Sequence, residues 1–358
     1  MTFFFDCRFI RVDHHDGISR FSSELFASVS KQTEVTALIC DMAQLEKLPP
    51  ATKYLKINDP KNPIGELFLP RFLNKAGASV VFSPMQTMGS IGKRYKLILT
   101  LHDLIYYKHR KPPGFLAWPI RLVWRLFHLS YMPVRFLLNR ADAVVTISET
   151  TKLMMEKHSL TKNSIHVVHN ASSMVRVQAS KPEPINRNLV YMGSFMPYKN
   201  VELLIKALGD LPEYSLTLCS RISDKRKQEL IQSLPQATIS RLRFLDGTSE
   251  ADYQKLLDDS FALVTASRDE GFGIPVIEAM SRATPVIVSD IQIFREVASD
   301  GGSFFYPDDV SAFTNAVRTL EPIENWQQAS KASLDRSAFF KWDQSANELL
   351  KVLNQLRA

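Results

Sequence analysis

The chain has 358 residues, a formal net charge of +7, 45% hydrophobic residues and 23% charged ones. That length suits two domains, that composition excludes an intrinsically disordered chain, and the charge favours anionic partners without naming one. The cysteines, Cys7, Cys40 and Cys219, have neither metal-like nor disulfide-like spacing, which fits a reducing cytoplasmic setting, and no run of about 18 uncharged apolar residues is present to span a membrane.

The N-terminal MTFFFDCRFIRVDHH is apolar over too short a stretch for a signal peptide and reads as a first buried strand. DGISRFSSELF follows, with Gly17 at the entry to a helix, where backbone N–H groups face an incoming anion. No GxGxxG accompanies it, and a plain helix-entry turn is the competing reading. VTALIC (35–40), SVVFS (79–83), KLILTLHD (96–103) and DAVVTIS (142–148) are short β-branched runs separated by helical segments. That alternation predicts parallel strands joined by crossover helices. His102 and Asp103 stand at the carboxyl end of one such strand, where a histidine can donate a hydrogen bond to a substrate hydroxyl or phosphate. The alternative is a loop histidine held by its neighbour.

Between Lys108 and Arg140 aromatic and aliphatic residues interleave with Arg121, Arg125 and Arg135. Two readings compete there: a helix pair lying on an anionic membrane surface, or a helical region packed on the core with a basic solvent face. Pro119 and Pro133 interrupt the period, and core packing is the preferred reading.

From about residue 165 the pattern starts afresh with SIHVVHN, NLVYMGS, YSLTLCS, LRFLDG, FALVTAS and TPVIVSD. The polar, proline-bearing stretch 171–188 is predicted as the linker between an N-terminal domain (1–170) and a C-terminal one (189–340). In such sheets ligands collect at the carboxyl ends of the strands. Gly193 frees the backbone after one strand, and Lys199 lies near the start of the next helix, where a cation opposes the macrodipole unless an anion sits there too. A solvated lysine is the competing reading. Arg221 holds the matching place after the next strand and suits bidentate phosphate contacts. In ASRDEGFGIPVIEAMSRA, Glu270 falls in a glycine-bearing loop and Glu278 about one turn into a helix begun by Pro275. The backbone N–H groups of Phe272, Gly273 and Ile274 then point at a ligand, and the two acids can accept hydrogen bonds from sugar and ribose hydroxyls. A capping or surface role is the alternative for Glu278.

SRDEGFGIPVIEAM resembles the signature of family 4 glycosyltransferases, two glutamates separated by seven residues. The resemblance extends over almost the whole chain. HHDGISRFSSELF is similar to their N-terminal glycine loop, LTLHDLIYY to their His-Asp strand end, and ADAVVTISETTK with VVHNA to the end of their first domain. MGSFMPYKN is similar to their phosphate loop, TPVIVSDIQIFREVASDGGSFFYPDD to their late second domain, and FFKWDQSANELLKVL (within 339–353) to their last helix.

This resemblance implies an α/β chain of GT-B architecture: two Rossmann-like domains facing across a cleft, with the segment 341–358 crossing back to the first. It implies a retaining hexosyltransferase of a mannosyltransferase-like group, taking a sugar from a GDP- or UDP-linked donor to a glycan, glycolipid or lipid-linked hydroxyl in cell-envelope biosynthesis. No cofactor, metal or nucleic acid is expected, and the location is cytoplasmic with peripheral contact with an anionic membrane face. On that model Lys199, with Arg221, neutralises the leaving diphosphate, helped by Gly193 and Ser194. Glu270 and the loop Gly271, Phe272, Gly273 and Ile274 hold the sugar, and Glu278 holds the ribose. Gly17 lets the first domain approach the diphosphate, and His102 positions a hydroxyl of the reacting sugar. One departure stands out: many relatives carry arginine where this chain has Ser194, which supplies no positive charge. Two other functions fit parts of the pattern, a nucleotide-sugar epimerase of the same fold and a non-catalytic basic binding protein. Epimer formation without an acceptor would mark the first, and salt-dependent nucleic-acid binding the second.

Overall fold

The structure, a computed structural model, describes residues 2–13, 16–112 and 117–356. His14 and His15 of the N-terminal motif and residues 113–116 of the basic stretch lie outside them. The chain divides into two units, Met1–Ala171 with Lys341–Ala358, and Ser172–Phe340.

The first unit is built on a parallel sheet of β1 (Thr2–Asp6), β2 (Thr36–Ile39), β3 (Tyr54–Lys56), β4 (Ala78–Ser83), β5 (Lys96–Leu101), β6 (Ala143–Thr146) and β7 (Ile165–Val167), in the order 3-2-1-4-5-6-7. The second is built on β8 (Asn188–Tyr191), β9 (Ser215–Leu218), β10 (Leu242–Phe244), β11 (Ala262–Thr265), β12 (Val286–Ser289) and β13 (Gly302–Phe305), in the order 10-9-8-11-12-13. Both are Rossmann-like. Strand order reverses between β1 and β4 and between β8 and β11, so the crossovers leave to opposite faces there and open a crevice at the carboxyl ends.

The apolar runs make these strands because both faces are covered. Phe5 of β1 lies in register with Phe82 of β4 and meets its ring at a tilt, centroids 4.7 Å apart, with Phe26 edge-on at 5.5 Å. In the second unit Trp326 is fully buried, and its indole N–H donates to the Phe261 carbonyl at 2.9 Å. The last helix, Trp342–Gln355, belongs to the first unit and packs along helix Gly17–Ser30. Phe21 and Trp342 meet edge to face at 6.2 Å, Ser28 bonds the Asp343 carboxylate, and the Ser345 hydroxyl donates to the His169 carbonyl at 2.7 Å.

Three expectations change. The strand in SIHVVHN does not open the second half; as β7 it pairs with β6 and ends the first sheet. The stretch 171–188 is no free linker. From Ser172 it belongs to the second unit, where Val177 N–H donates to the Ser281 carbonyl and the Lys181 ammonium donates to Leu257 O, Asp258 O and Thr284 Oγ1. The basic stretch is not packed on the core throughout either. Pro119 and Pro133 sit in the first turns of helices Trp118–Phe127 and Met132–Leu138, and the first of these buries none of its residues.

Where β1 ends, a charged cluster is enclosed. The fully buried Arg8 side chain grips the buried Asp6 carboxylate at 2.8 and 2.9 Å and also bonds Glu66. Ser83 Oγ donates to Asp6 at 3.1 Å and Gly89 N–H to Glu66 at 2.8 Å. Burial disfavours the guanidinium charge, but the two carboxylates outweigh it and hold Arg8 protonated. Arg8→Met therefore leaves two enclosed carboxylates without their cation and lowers unfolding free energy by about 3–5 kcal/mol. Urea unfolding followed by circular dichroism checks this; a loss below about 1 kcal/mol contradicts it.

Candidate active site

The parallel pairing of β8 with β11 (Leu189 opposite Ala262, Val190 opposite Leu263) brings two loops side by side at the second unit's reversal point. From β8 comes the loop with Gly193 and Ser194, then a turn, Pro197–Lys199, and Asn200 in the left-handed region at φ 53°. From β11 comes the Arg268–Gly273 loop. Lys199 Nζ bonds the Glu270 carboxylate, with the two side chains only 14% and 13% exposed. The Ser267 hydroxyl donates to the same carboxylate oxygen at 3.0 Å. Arg268 rivets the loops: its N–H donates to Tyr198 O at 2.7 Å and its guanidinium to Pro197 O and Asn200 Oδ1 at 2.9 Å, while also pairing with Asp308. That guanidinium holds the Asp308 carboxyl below its usual range.

Gly273 caps the helix Ile274–Ser281 at φ 99°, and a Cβ there would lie 2.8 Å from the Phe294 ring, so both backbone and space demand glycine. Pro275 occupies the first turn, and Glu278 follows one turn in, 3% exposed. Between the acids, Phe272 is buried edge-on against Phe340 at 5.4 Å, and Val276 and Ile277 enter the core. These apolar residues fix the loop and start the helix, setting one acid in the loop and the other on the helix it feeds. The first N–H groups of such a helix carry partial positive charge toward a ligand.

Gly193 N–H donates to Ser220 Oγ at 3.1 Å, and a Cβ on Gly193 would meet the Tyr191 hydroxyl at 2.8 Å. That hydroxyl donates to the Ser194 carbonyl at 2.7 Å. Ser194 itself is exposed. Arg221, next to Ser220, is exposed, lies against Gly247 of the loop after β10, and enters no ion pair among the described residues. The structure thus ties the Ser220–Arg221 segment to the glycine loop, while the guanidinium stem leans toward Gly247.

In the first unit Gly17 is the first residue of its helix; the Asp16 side chain caps it by accepting from Ser19 N–H at 2.9 Å and pairs with Arg11 at 2.8 Å. His102 Nε2 contacts the Pro84 carbonyl at 2.7 Å, and its ring meets Phe21 of that same helix edge-on at 5.1 Å. Burial pushes the imidazole down to about 4, against the opposing pull of Pro84 and Asp16. The ring is neutral at pH 7, and its N–H must face the carbonyl, so Nδ1 carries the lone pair. In that tautomer the Nε2–H is spent on Pro84 and the second ring nitrogen is an acceptor.

Ser267, Arg268, Tyr191 and Ser220 escaped the sequence reading. Tyr191 sits in an apolar run like any core aromatic, and the serines have no pattern of their own. Arg268, directly before the acidic loop, carried the only available signal. Among the described residues no three His, Cys, Asp or Glu side chains group as metal ligands.

Two outcomes follow from this geometry. Lys199→Met leaves Glu270 enclosed without its cation and costs about 2–4 kcal/mol in urea unfolding, whereas adding Glu270→Gln recovers about half. Equal losses in single and double variants would contradict the pairing. For His102, the folded pKa of about 4 lies below the ordinary 6.5, so the unfolded chain binds the extra proton between those values. Its stabilisation is complete above pH 6.5 and fades as pH falls toward 4, by on the order of 3 kcal/mol. His102→Gln, which keeps a donor for Pro84, flattens that acid loss; an unchanged pH profile of unfolding contradicts the assignment.

Comparison with known proteins gives a consistent answer. The family model described as "Glycosyltransferase Family 4" matches residues 44–172, and "Glycosyl transferases group 1" matches residues 177–336. The O-antigen chain mannosyltransferase RfbU of Salmonella typhimurium (strain LT2) is 31% identical over 240 residues, 63% of this chain and 61% of that protein. The O-antigen chain mannosyltransferase B of Escherichia coli is 28% identical over 174 residues, 47% of this chain and 45% of that one. The matches thus span about half to three fifths of these relatives' lengths. Among solved structures, sucrose-phosphate synthase from Thermosynechococcus elongatus superposes with a TM-score of 0.74 at 18% identity, over 99% of this chain and 98% of that one. HepE from Anabaena, solved with UDP and glucose, gives 0.73 at 18% identity, over 99% and 100%. These likenesses establish the fold. With the two family models meeting near the boundary of the two units, the chain belongs to the family 4 glycosyltransferases and has the GT-B fold.

Proposed function

We propose that this protein is a retaining mannosyltransferase that moves the sugar of a nucleotide diphosphate donor, GDP-mannose in the first instance, to the hydroxyl of a glycan or lipid-linked acceptor. The observation that carries the reading is the Lys199–Glu270 pair at the carboxyl ends of adjacent strands, beside the helix that holds Glu278. Its relatives named as O-antigen mannosyltransferases, and one named as a GDP-mannose-dependent transferase to a diphosphopolyprenol, support the choice of sugar and acceptor class.

In this reading Glu278 accepts hydrogen bonds from the ribose hydroxyls, and Glu270 with the N–H groups of Phe272 to Ile274 holds the hexose. The Lys199 ammonium, pre-set by Glu270, faces the diphosphate together with the helix start. The bond from the anomeric carbon to the leaving phosphate oxygen breaks while the acceptor oxygen bonds to that carbon on the same face. The acceptor's proton passes to the leaving phosphate oxygen, so no protein carboxylate serves as base. Lys199 and the helix dipole meet the growing charge, and the reading calls for no metal ion or other cofactor. Ser194 adds no cation; Arg221 is the candidate to supply one by turning away from Gly247. His102 Nδ1 accepts from a sugar hydroxyl. The work is placed in the cytoplasm, against the membrane that holds the acceptor.

Calorimetry with GDP, UDP and ADP tests the donor site. GDP binds best, and Glu278→Ala weakens it by about 10- to 100-fold, the scale of hydrogen bonds to a charged group. Lys199→Met lowers turnover by about 100- to 1000-fold with donor binding reduced less, EDTA leaves activity intact, and NMR of the product finds the donor's anomeric configuration. No binding of any diphosphate, or equal binding by Glu278→Ala, refutes the assignment.

A further inference from the structure

We infer that Glu270 sets the site's preference between a nucleotide that still carries its sugar and the bare nucleotide diphosphate left after transfer, because it holds the Lys199 ammonium until sugar hydroxyls take that cation's place. The inference deepens the proposed function and rests on it for the class of ligand. That function gives Glu270 a hexose to hold; the pairing with Lys199 makes the same carboxylate reject the spent nucleotide.

Both bonds that Glu270 receives fall on one oxygen. Lys199 Nζ and the hydroxyl of the fully buried Ser267 donate to Oε1, the serine at 3.0 Å. Oε2 takes no hydrogen bond among the described residues, so it is the atom open to a ligand's hydroxyl. Lys199 has a second neighbour that does not depend on Glu270: its ammonium lies 5.4 Å from the centre of the Tyr198 ring. The surrounding cations do not add to it. The loops 192–200 and 266–273 contain no other lysine, and Ser194 brings no charge. Arg268 is tied to Asp308, Pro197 O and Asn200 Oδ1, and Arg221 lies against Gly247. While the pair is closed, Glu270 therefore cancels the charge on the ammonium that these two loops offer a diphosphate.

Charge separates the two ligands. In a nucleotide sugar the terminal phosphate is esterified to a neutral hexose. Once the sugar has left, that phosphate ends the molecule and carries about one more negative charge at neutral pH. The added charge falls where the hexose stood, against the Glu270 carboxylate, and like charges in a partly enclosed site repel. A hexose instead presents hydroxyl donors, which satisfy the carboxylate as Lys199 turns to the diphosphate. The sugar-bearing nucleotide thus frees the cation it needs, and the spent one gives the ammonium back to Glu270 and leaves. Such a preference comes from an unfavourable contact with the wrong ligand as well as a favourable one with the right ligand.

The test is calorimetry on the full chain, without acceptor, using two ligand pairs: GDP with GDP-mannose, and UDP with UDP-glucose. For the base that binds, wild type holds the sugar-bearing member at least about tenfold more tightly than the bare diphosphate. Glu270→Gln tightens the bare diphosphate by about tenfold and the sugar-bearing member not at all, so the ratio falls to about one. The matching monophosphate, GMP or UMP, which lacks the terminal phosphate, binds wild type and Glu270→Gln alike. Lys199→Met keeps the preference, and Lys199→Met with Glu270→Gln loses it, which reads the effect even where the single Glu270 variant does not fold. The inference is overturned if wild type binds both members of a pair equally, or if the ratio survives Glu270→Gln in both backgrounds. Nucleotide binding with an unmoved ratio removes this role of Glu270 and leaves the donor site standing, whereas no binding of any nucleotide removes both.

Discussion

The parallel pairing of β8 with β11 is the constraint on which the candidate site depends. Neighbouring parallel strands must be joined by crossovers, and where strand order reverses the two crossovers depart to opposite faces. The loops that leave β8 and β11 therefore start side by side and then separate. That alone brings Lys199 to Glu270 across 71 residues of sequence. An ammonium and a carboxylate so enclosed are costly apart and stable together, so each loop holds the other in place. Arg268 and Asn200 extend this lock, and the obligatory glycine at 273 turns the chain into the helix bearing Glu278.

The first unit uses the same topology for a different purpose. Its reversal point, between β1 and β4, is occupied by the enclosed Asp6–Arg8–Glu66 cluster, whose donors and acceptors are spent on one another. The candidate group there lies one strand further on, at the end of β5, where His102 is held neutral by burial and pinned by the Pro84 carbonyl. Phe21 couples that ring to helix Gly17–Ser30, and Trp342 of the last helix packs on the same phenyl group. A glycine loop, a histidine and the chain's terminal helix thus share one aromatic contact.

The segment between Lys108 and Arg140 illustrates a limit on pattern reading. Aromatic and aliphatic residues spaced by arginines satisfy an interior helix and an interfacial one equally well, because period tells which residues share a face but not what that face meets. Tertiary packing divided the segment: Val134 and Leu138 are buried over β4 to β6, while the helix before them half-buries Trp124 and Phe127 and leaves its other large apolar side chains exposed. The segment 171–188 failed for the mirror reason. Its polar residues looked solvated, yet the Lys181 ammonium reaches three acceptors that no local pattern announces.

By itself the sequence determined most of the elements and where the loops between them fall. Short β-branched runs buried on both faces can only be central parallel strands, and Gly273, Pro275 and Glu278 describe a strand-to-helix turn through rules local to a few residues. The positions of Gly17, His102, Lys199 and Glu270 after such runs, and of Glu278 on the helix that follows one, were legible for the same reason. What only the tertiary structure decided were relations across distant segments: the Lys199–Glu270 bond, the roles of Tyr191, Ser220, Ser267 and Arg268, the direction in which Arg221 leans, and the acceptor state of His102. Hydrogen bonds, burial and charge pairing are set by which strands become neighbours, and strand order is a property of the whole sheet that no local pattern encodes.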